Sequence, residues 1–395
     1  MVKQSPPLRV AILYGGRSLE HEISVITALQ AIEALDSALW DPYPVYVAPS
    51  GCWYTGKELL DRSFYPQWAK GVKQLQRLYP TADPTLGGFL AEGKRGRLVA
   101  WKVEVCLLAF HGGVGENGSV QGLLEMARIP YTSCGVTSSA IAMDKWLCKQ
   151  LLGSWGIPSL PALSIPIERL RSGLPGLELA LAQILGANPY PLMIKPRHLG
   201  SSIGVGKATN FKEVRSLLCQ ALRYDKEALI EPYLEELLEI NVAVRQVQGQ
   251  LEASAVEVPL PSGSEQPLSY EDKYLRGGSK KGARESQGMA DLMRSIDPVD
   301  LDPELKKHAQ EIALEAFEWL GCSGIVRFDF LFDLKEGRLF FNELNALPGS
   351  LSYYLWEKDF LYTDLLDELL REAIRRHGEK LCFVEELPWR ALLSQ

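Results

Sequence analysis

The spacing of apolar and polar residues changes period repeatedly along this chain, and the changes mark out its elements. Residues 8–14 are a short apolar run ending in Gly15-Gly16-Arg17-Ser18, and residues 20–35 then carry helical periodicity. A strand, a glycine turn and a helix start form the front half of a βαβ unit. Residues 43–47 read as the next strand, and residues 51–100 as turn-rich chain with a surface hairpin. A buried strand follows over 103–110, then a glycine-rich stretch, a helix near 119–127 and a short strand at 130–133. This first block is α/β with a parallel sheet. A helix over 138–152 stops at Gly156-Ile157-Pro158. Strands at 192–195 and 228–232 bracket a glycine-rich loop at 199–206. From Leu238 onward strands dominate, at 240–246 and 252–258. Residues 261–297 are polar and too long for an ordinary connector, which marks a lid. A helix over 303–320, two strands and an amphipathic helix over 361–376 complete the pattern.

Composition narrows the class. A chain of 395 residues exceeds one typical core, so two or three domains are expected. Hydrophobic content of 46% and charged content of 23% are ordinary for a globular protein. A net charge of −7 argues against nonspecific nucleic-acid binding. No apolar run approaches the roughly 20 residues that span a bilayer, and residues 1–9 lack a signal-peptide core. The seven cysteines are scattered, with no C-x-x-C, as expected for reduced thiols in the cytoplasm.

The chemistry concentrates near the end of the chain. Val326-Arg327-Phe328-Asp329-Phe330-Leu331-Phe332 and Arg338-Leu339-Phe340-Phe341-Asn342-Glu343-Leu344-Asn345 alternate as strands do, joined by a short polar turn. Period two places Arg327 and Asp329 on one face, and Glu343 and Asn345 on one face of the partner. Hard oxygen ligands of this kind suit Mg²⁺, which takes few protein carboxylates and completes its shell with phosphates and water. The competing reading is a solvated hairpin with ordinary charges, but its flanks are too apolar, and buried carboxylates need partners.

Two glycine motifs are decoys. Gly113-Val-Gly115-Glu-Asn-Gly118 fits G-x-G-x-x-G, but it lies outside the first βα turn and no acidic residue ends a second strand about 20 residues on. Its amides suit a carboxylate instead. Residues 200–207 miss P-loop spacing, and Ala208 stands where a hydroxyl should be; a glycine-rich flap over phosphates fits better. Lys195 on the strand feeding this loop is a phosphate ligand or a snorkelling side chain. Lys145 alone is less specific. Glu231 and Glu239 are surface acids or acceptors for adenine and ribose. Five scattered His residues, without H-E-x-x-H or H-x-x-E-H, exclude a zinc hydrolase pattern.

In order, these segments resemble the D-alanine–D-alanine ligases of the ATP-grasp superfamily, from Val10 to about Glu357. The resemblance rests on Tyr14-Gly-Gly-Arg-Ser-Leu-Glu20-His-Glu-Ile-Ser24, His111-Gly to Gly118 with Gln121-Gly-Leu-Leu-Glu125, Met143-Asp-Lys145, Ile194-Lys-Pro196, Leu199-Gly-Ser-Ser-Ile-Gly204, Lys273-Tyr274, Arg327-Phe-Asp329, Asn342-Glu-Leu-Asn345 and Pro348-Gly349. It implies α/β and α+β structure in a three-domain ATP-grasp architecture: an N-terminal Rossmann-like parallel-sheet domain (residues 1–137), a central subdomain (138–236), and a C-terminal subdomain (237–395) bearing the metal and substrate site and a mobile lid (261–297). The implied reaction phosphorylates one D-alanine carboxylate with ATP, and the amine of a second D-alanine displaces phosphate to give D-alanyl-D-alanine for peptidoglycan. Asp329, Glu343 and Asn345 would hold two Mg²⁺, replaceable by Mn²⁺, with Glu343 bridging both. Lys145, Lys195, Ser202 and Lys273 would contact ATP, with Glu231 and Glu239 at adenine and ribose. Glu20 would hold the first ammonium, Ser201 and Tyr274 would join it in a triad, and His111 would line the substrate site. Arg327 and the Gly349 amide would stabilise the oxyanion. The family also implies a homodimer, without nucleic-acid or membrane partners.

Three departures fall on the side of the second substrate. Asn117 replaces the family's usual Asp. Tyr354 stands where a Ser often binds the second carboxylate, leaving Ser350 or Ser352 as substitutes. The lid segment Arg276-Gly-Gly-Ser-Lys-Lys-Gly282 is unusually basic. The rivals are the same fold with another acceptor, such as D-lactate, D-serine or a natural-product amine, and a nucleotide-binding protein without turnover.

Overall fold

The computed structural model describes residues 6–260, 294–356 and 360–384. Lys273, Tyr274, the basic stretch at 276–282 and most of the expected lid lie outside the described residues.

Three sheets organise the molecule. The first has seven strands in the order β6-β5-β4-β3-β2-β1-β7: β1 Leu8–Gly15, β2 Trp40–Val47, β3 Trp53–Thr55, β4 Gln76–Tyr79, β5 Gly88–Glu92, β6 Leu98–Lys102 and β7 Val105–Leu108. β1 is parallel to both β2 and β7, as the βαβ pattern requires, and the remaining strands extend the sheet as an antiparallel meander. Residues 51–100 thus hold four strands where the sequence suggests a hairpin. These strands are short and their pairing is nonlocal, so periodicity alone understates them. Residues 130–133 form no strand, only a parallel bridge between Tyr131 and Cys106.

The second sheet is antiparallel, in the order β10-β9-β11-β8, with β8 Leu163–Pro166, β9 Leu192–Pro196, β10 Gly206–Ala208 and β11 Glu227–Pro232. The third runs β15-β14-β12-β16-β17, with β13 on β12: β12 Leu237–Val247, β13 Gln250–Ala253, β14 Glu257–Pro259, β15 Arg294–Ile296, β16 Ile325–Asp333 and β17 Arg338–Asn345. One face of this sheet is apolar. Ile240, Val242, Val244, Val326, Phe328, Phe330 and Phe341 pack there against Ala309, Ile312, Ala313, Ala316 and Phe317 of the helix Pro303–Trp319. That helix starts at Asp302, whose carboxylate accepts the Glu304 amide at 3.0 Å, with Pro303 in the first turn.

Two helices pack away from their chain neighbours. The helix Tyr362–Lys380 buries Leu365, Leu366, Leu369, Leu370 and Ala373 in the core of the first sheet. The expected helix over 138–152 is two helices, Val136–Met143 and Lys145–Ser154, and Cys148 and Leu152 of the second join the core of the third sheet. Asp144 breaks them: its backbone is extended (φ −101°, ψ 93°) and its carboxylate caps the second helix by accepting the Leu147 amide at 3.0 Å.

Candidate active site

A row of polar residues crosses four strands of the third sheet. Glu257 pairs with Asn241, Asn241 with Asp329, and Asp329 with Glu343. One pair further along, Arg327 faces Asn345. All lie opposite the apolar face. The register therefore brings Asp329, Glu343, Asn345 and Arg327 together as the alternation expects, and adds Asn241 and Glu257 from strands distant in sequence. Arg327 forks onto Asp329, with Nε 2.6 Å from Oδ1 and Nη2 2.7 Å from Oδ2. Asn345 Nδ2 donates to the same Oδ2 at 3.0 Å. Burial pushes the Asp329 carboxyl up, while Arg327 draws it down. Glu239 lies two residues before Asn241 on β12, on the same face.

Lysines converge on this row from other elements. The break at Asp144 puts Lys145 in the first turn of its helix, and its ammonium reaches Glu343 at 3.3 Å and the Leu199 carbonyl of the glycine-rich loop at 2.5 Å. Lys195 donates to Glu231 at 2.7 Å and to Asn342 at 3.2 Å. Asn342 is the extra residue of a β-bulge between Asp329 and Phe330 of the partner strand. Lys149, fully buried, lies 2.5 Å from Glu231, and burial pushes it down to about 8 against the pull of that carboxylate. The Glu231 carboxylate, 2% exposed, is held between these two lysines.

Asp144 is itself held. Burial alone would raise its carboxyl, but His198 and Arg197 keep it well below the usual range. Arg197 forks onto it at 2.6 and 2.5 Å and also pairs with Glu227, while His198 lies between Asp144 and Asp225. The loop after β9 is thereby clamped to the helix that carries Lys145 and Lys149.

On the opposite side, the Ser201 hydroxyl donates to Glu20. Ser201 and Ser202 have left-handed backbones (φ 52° and 56°). Gly112 suits a left-handed backbone (φ 69°), and a Cβ there would also displace Ser18 Oγ and Glu20 Oε2, which it would meet at 2.6 and 2.8 Å. Glu116 accepts the amides of Gly112 at 2.8 Å and Leu347 at 3.2 Å, which ties the glycine-rich loop to the turn after β17. Desolvation and the nearby Glu20 raise its carboxyl to about 7. Burial and Arg327 lower His111 to about 4, against a hydrogen bond to the Leu347 backbone. The ring is therefore neutral, and its Nε2 lies 2.9 Å from Thr27 Oγ1.

The turn after Pro348 is the strained part. Ser350, Leu351 and Ser352 all have φ 50°, a left-handed run that costs about 1–2 kcal/mol per residue. Gly349 opens it and is buried. The Ser350 amide donates to Thr27 Oγ1 at 3.2 Å and its hydroxyl to Gln30 at 2.9 Å, so the helix His21–Ala34 holds the turn in place. Ser350 is occupied by that helix, whereas the buried Ser352 Oγ has no hydrogen-bond partner among the described residues. Tyr354 sits under Arg294, with its hydroxyl between Arg327 at 3.4 Å and Glu257 at 3.5 Å.

Sequence reading missed Lys149, Glu116, Thr27, Asn342 and Glu257. Glu116 and Asn342 stand inside quoted motifs and carry a weak signal. Lys149 lies one helical turn from Lys145, a spacing that could have flagged it. Thr27 and Glu257 have no local signal. The donor set fits a hard cation with phosphates: two carboxylates and an amide on one face, faced by lysines already paired with acids. Among the described residues no three His, Cys, Asp or Glu side chains gather as a metal cluster.

The chain matches the family model "D-ala D-ala ligase N-terminus" over residues 9–134 and "D-ala D-ala ligase C-terminus" over residues 152–371. It is 31% identical over 374 residues to the D-alanine–D-alanine ligase of Thermosipho melanesiensis, covering 94% of this chain and 95% of that one. The D-alanine–D-alanine ligase structure from Coxiella burnetii superposes with a TM-score of 0.77 at 26% identity, over 95% of this chain and 97% of the other. A D-Ala:D-Ser ligase structure from Enterococcus faecalis gives a TM-score of 0.73 at 26% identity, over 93% and 99%. With both halves matched by family models and a relative above 30% identity along nearly its whole length, the chain belongs to the D-alanine–D-alanine ligase family.

Proposed function

We propose that the protein joins two D-alanines with ATP, through a D-alanyl phosphate, to give D-alanyl-D-alanine, ADP and phosphate for peptidoglycan. The observation that carries this reading is the row Glu257–Asn241–Asp329–Glu343, met by Lys145 and, through Asn342, by Lys195. Phosphoryl transfer needs positioning and charge neutralisation more than covalent help, and this row brings acids and cations together at one place.

Asp329, Glu343 and Asn345 would hold two Mg²⁺, or Mn²⁺ in its place, and bound metal would neutralise charge developing on the phosphates. The chain's own groups do the rest. Lys145 and Lys195 exchange Glu343 and Glu231 for phosphate oxygens, so the cations are in place before the nucleotide arrives. Ser202 in the flap and Glu239 on β12 complete the nucleotide side. Glu20, oriented by Ser201, takes the ammonium of the first D-alanine, and neutral His111 lines the same side. Arg327 and the Gly349 amide stabilise the oxyanion formed when the second amine attacks. Lys273 and Tyr274, outside the described residues, would join from the segment at 261–297, which as a lid would exclude water from the acyl phosphate. A division at 138 and 237, a homodimer and a cytoplasmic location belong to the same reading. No helix among the described residues is long and apolar enough to cross a membrane.

The test is ADP release from ATP and Mg²⁺ with D-alanine, L-alanine or no amino acid, with the product weighed by mass spectrometry. Release that depends on D-alanine and yields the dipeptide is expected. Release without dipeptide would mean another acceptor; no release with any amino acid would remove the ligase reading.

A further inference from the structure

Arg327 has two partners of different kinds. Its Nε and Nη2 form the fork on Asp329, and its Nη1 reaches the Tyr354 hydroxyl at 3.4 Å. The Asp329 carboxylate offers about four lone-pair sites, and three are taken by the fork and by Asn345. A dication at Asp329 draws on the same two oxygens and so competes with the fork. The fork therefore holds the guanidinium less firmly when Asp329 becomes a metal ligand.

The Tyr354 contact escapes that competition. The side chain is 2% exposed, and its ring lies 3.9 Å beneath the Arg294 guanidinium. Glu257, 3.5 Å from the hydroxyl, is fixed by Arg294 Nη1 at 2.9 Å and Asn241 Nδ2 at 3.0 Å. A guanidinium only donates and a carboxylate only accepts. The phenol oxygen therefore accepts from Arg327 and turns its proton toward Glu257. These distances are long, as hydrogen bonds at unliganded sites often are before they tighten on loading.

We infer that Tyr354 is a positioning residue, the second anchor of Arg327, which keeps the guanidinium aligned once a cation occupies Asp329. This deepens the ligase reading and rests on it. Tyr354→Phe keeps the ring and its contact with Arg294 and removes the hydroxyl, with its contacts to Arg327 and Glu257; the Arg327→Ala background separates the two. Turnover should fall about tenfold with the KM for ATP within about twofold, because the loss is in the transition state rather than in nucleotide binding. In an Arg327→Ala background the same change should cost nothing further; equal loss in both backgrounds would show that Tyr354 acts independently of Arg327 and would overturn the inference. A second arm needs no turnover. In protein labelled with ¹⁵N-arginine, the Arg327 side-chain signal should stay sharp on adding Mg²⁺ and ADP, and should broaden in Tyr354→Phe. An unchanged signal in the variant sinks the anchor even if the enzyme is inactive, whereas inactivity of the unmodified protein with D-alanine counts against the ligase reading alone.

Discussion

The lysine side and the turn side of the polar row are held by different physics. On the lysine side, Lys145, Lys149 and Lys195 are each paired with Glu343 or Glu231, and Asp144, Arg197, His198 and Asp225 brace the helix and loop that carry them. The turn side depends on a left-handed run at 350–352, pinned by single hydrogen bonds that Ser350 donates to Thr27 and Gln30, with one buried hydroxyl left over. The first arrangement sits on regular elements and balances its charges without ligand. The second stores backbone strain, which persists only where surrounding structure over-determines it.

The largest effect should come from the shared centre. Glu343→Gln removes the carboxylate that pairs with Lys145 and that the proposed function assigns to the metal, and turnover should drop by about a thousandfold or more. A steady-state rate within tenfold of the unmodified protein would break the assignment of Glu343 to the metal. The turn makes a smaller, signed contrast. Ser350→Ala, which loses the bond to Gln30, should cost about 1 kcal/mol of stability, while Ser352→Ala removes an orphaned hydroxyl and should be neutral or stabilising. Thermal melts that rank the two the other way would mean that Ser352, not Ser350, holds the turn.

The smallest effect is a pH signature of the lysine side. Asp144 and Asp225 raise His198 to about 9 from its ordinary 6.5. The folded state therefore keeps a proton that the unfolded chain releases. This stabilisation is full below about pH 6.5 and disappears as pH rises through about 9. The difference in melting temperature between the unmodified protein and His198→Gln should shrink across that window; a constant difference would show that the charge of His198 does not brace the helix.

Much of this was legible in local pattern. The period-two alternation of residues 326–332 and 338–345 placed Arg327 and Asp329 on one face, and Glu343 and Asn345 on another, before any pairing was known, and the observed register joins those faces. The helix over 303–320 was visible in its pattern, and Asp302 caps it in the structure. Asp144 carried the same capping signal, yet the apolar periodicity on both sides of it read as one continuous helix, and the break that aims Lys145 was hidden. The helix over 361–376 was visible by its amphipathic pattern, but nothing in it says which core its apolar stripe covers.

Sequence alone therefore determined the elements with a local signal: the hairpin of Asp329 and Glu343 and the apolar faces by their period, and the glycine loops beside Glu20 and Lys195 by their composition. Only the tertiary structure decided that Glu257 and Asn241 extend the row, that Glu231 belongs to Lys149 and Lys195, that Glu116 ties Gly112 to Leu347, and that Tyr354 stands between Arg327 and Glu257. The reason is physical. Periodicity reports which side of its own element a residue occupies, whereas strand register, bulges and interdomain contacts depend on pairings between segments tens to hundreds of residues apart, and those leave no mark on local spacing.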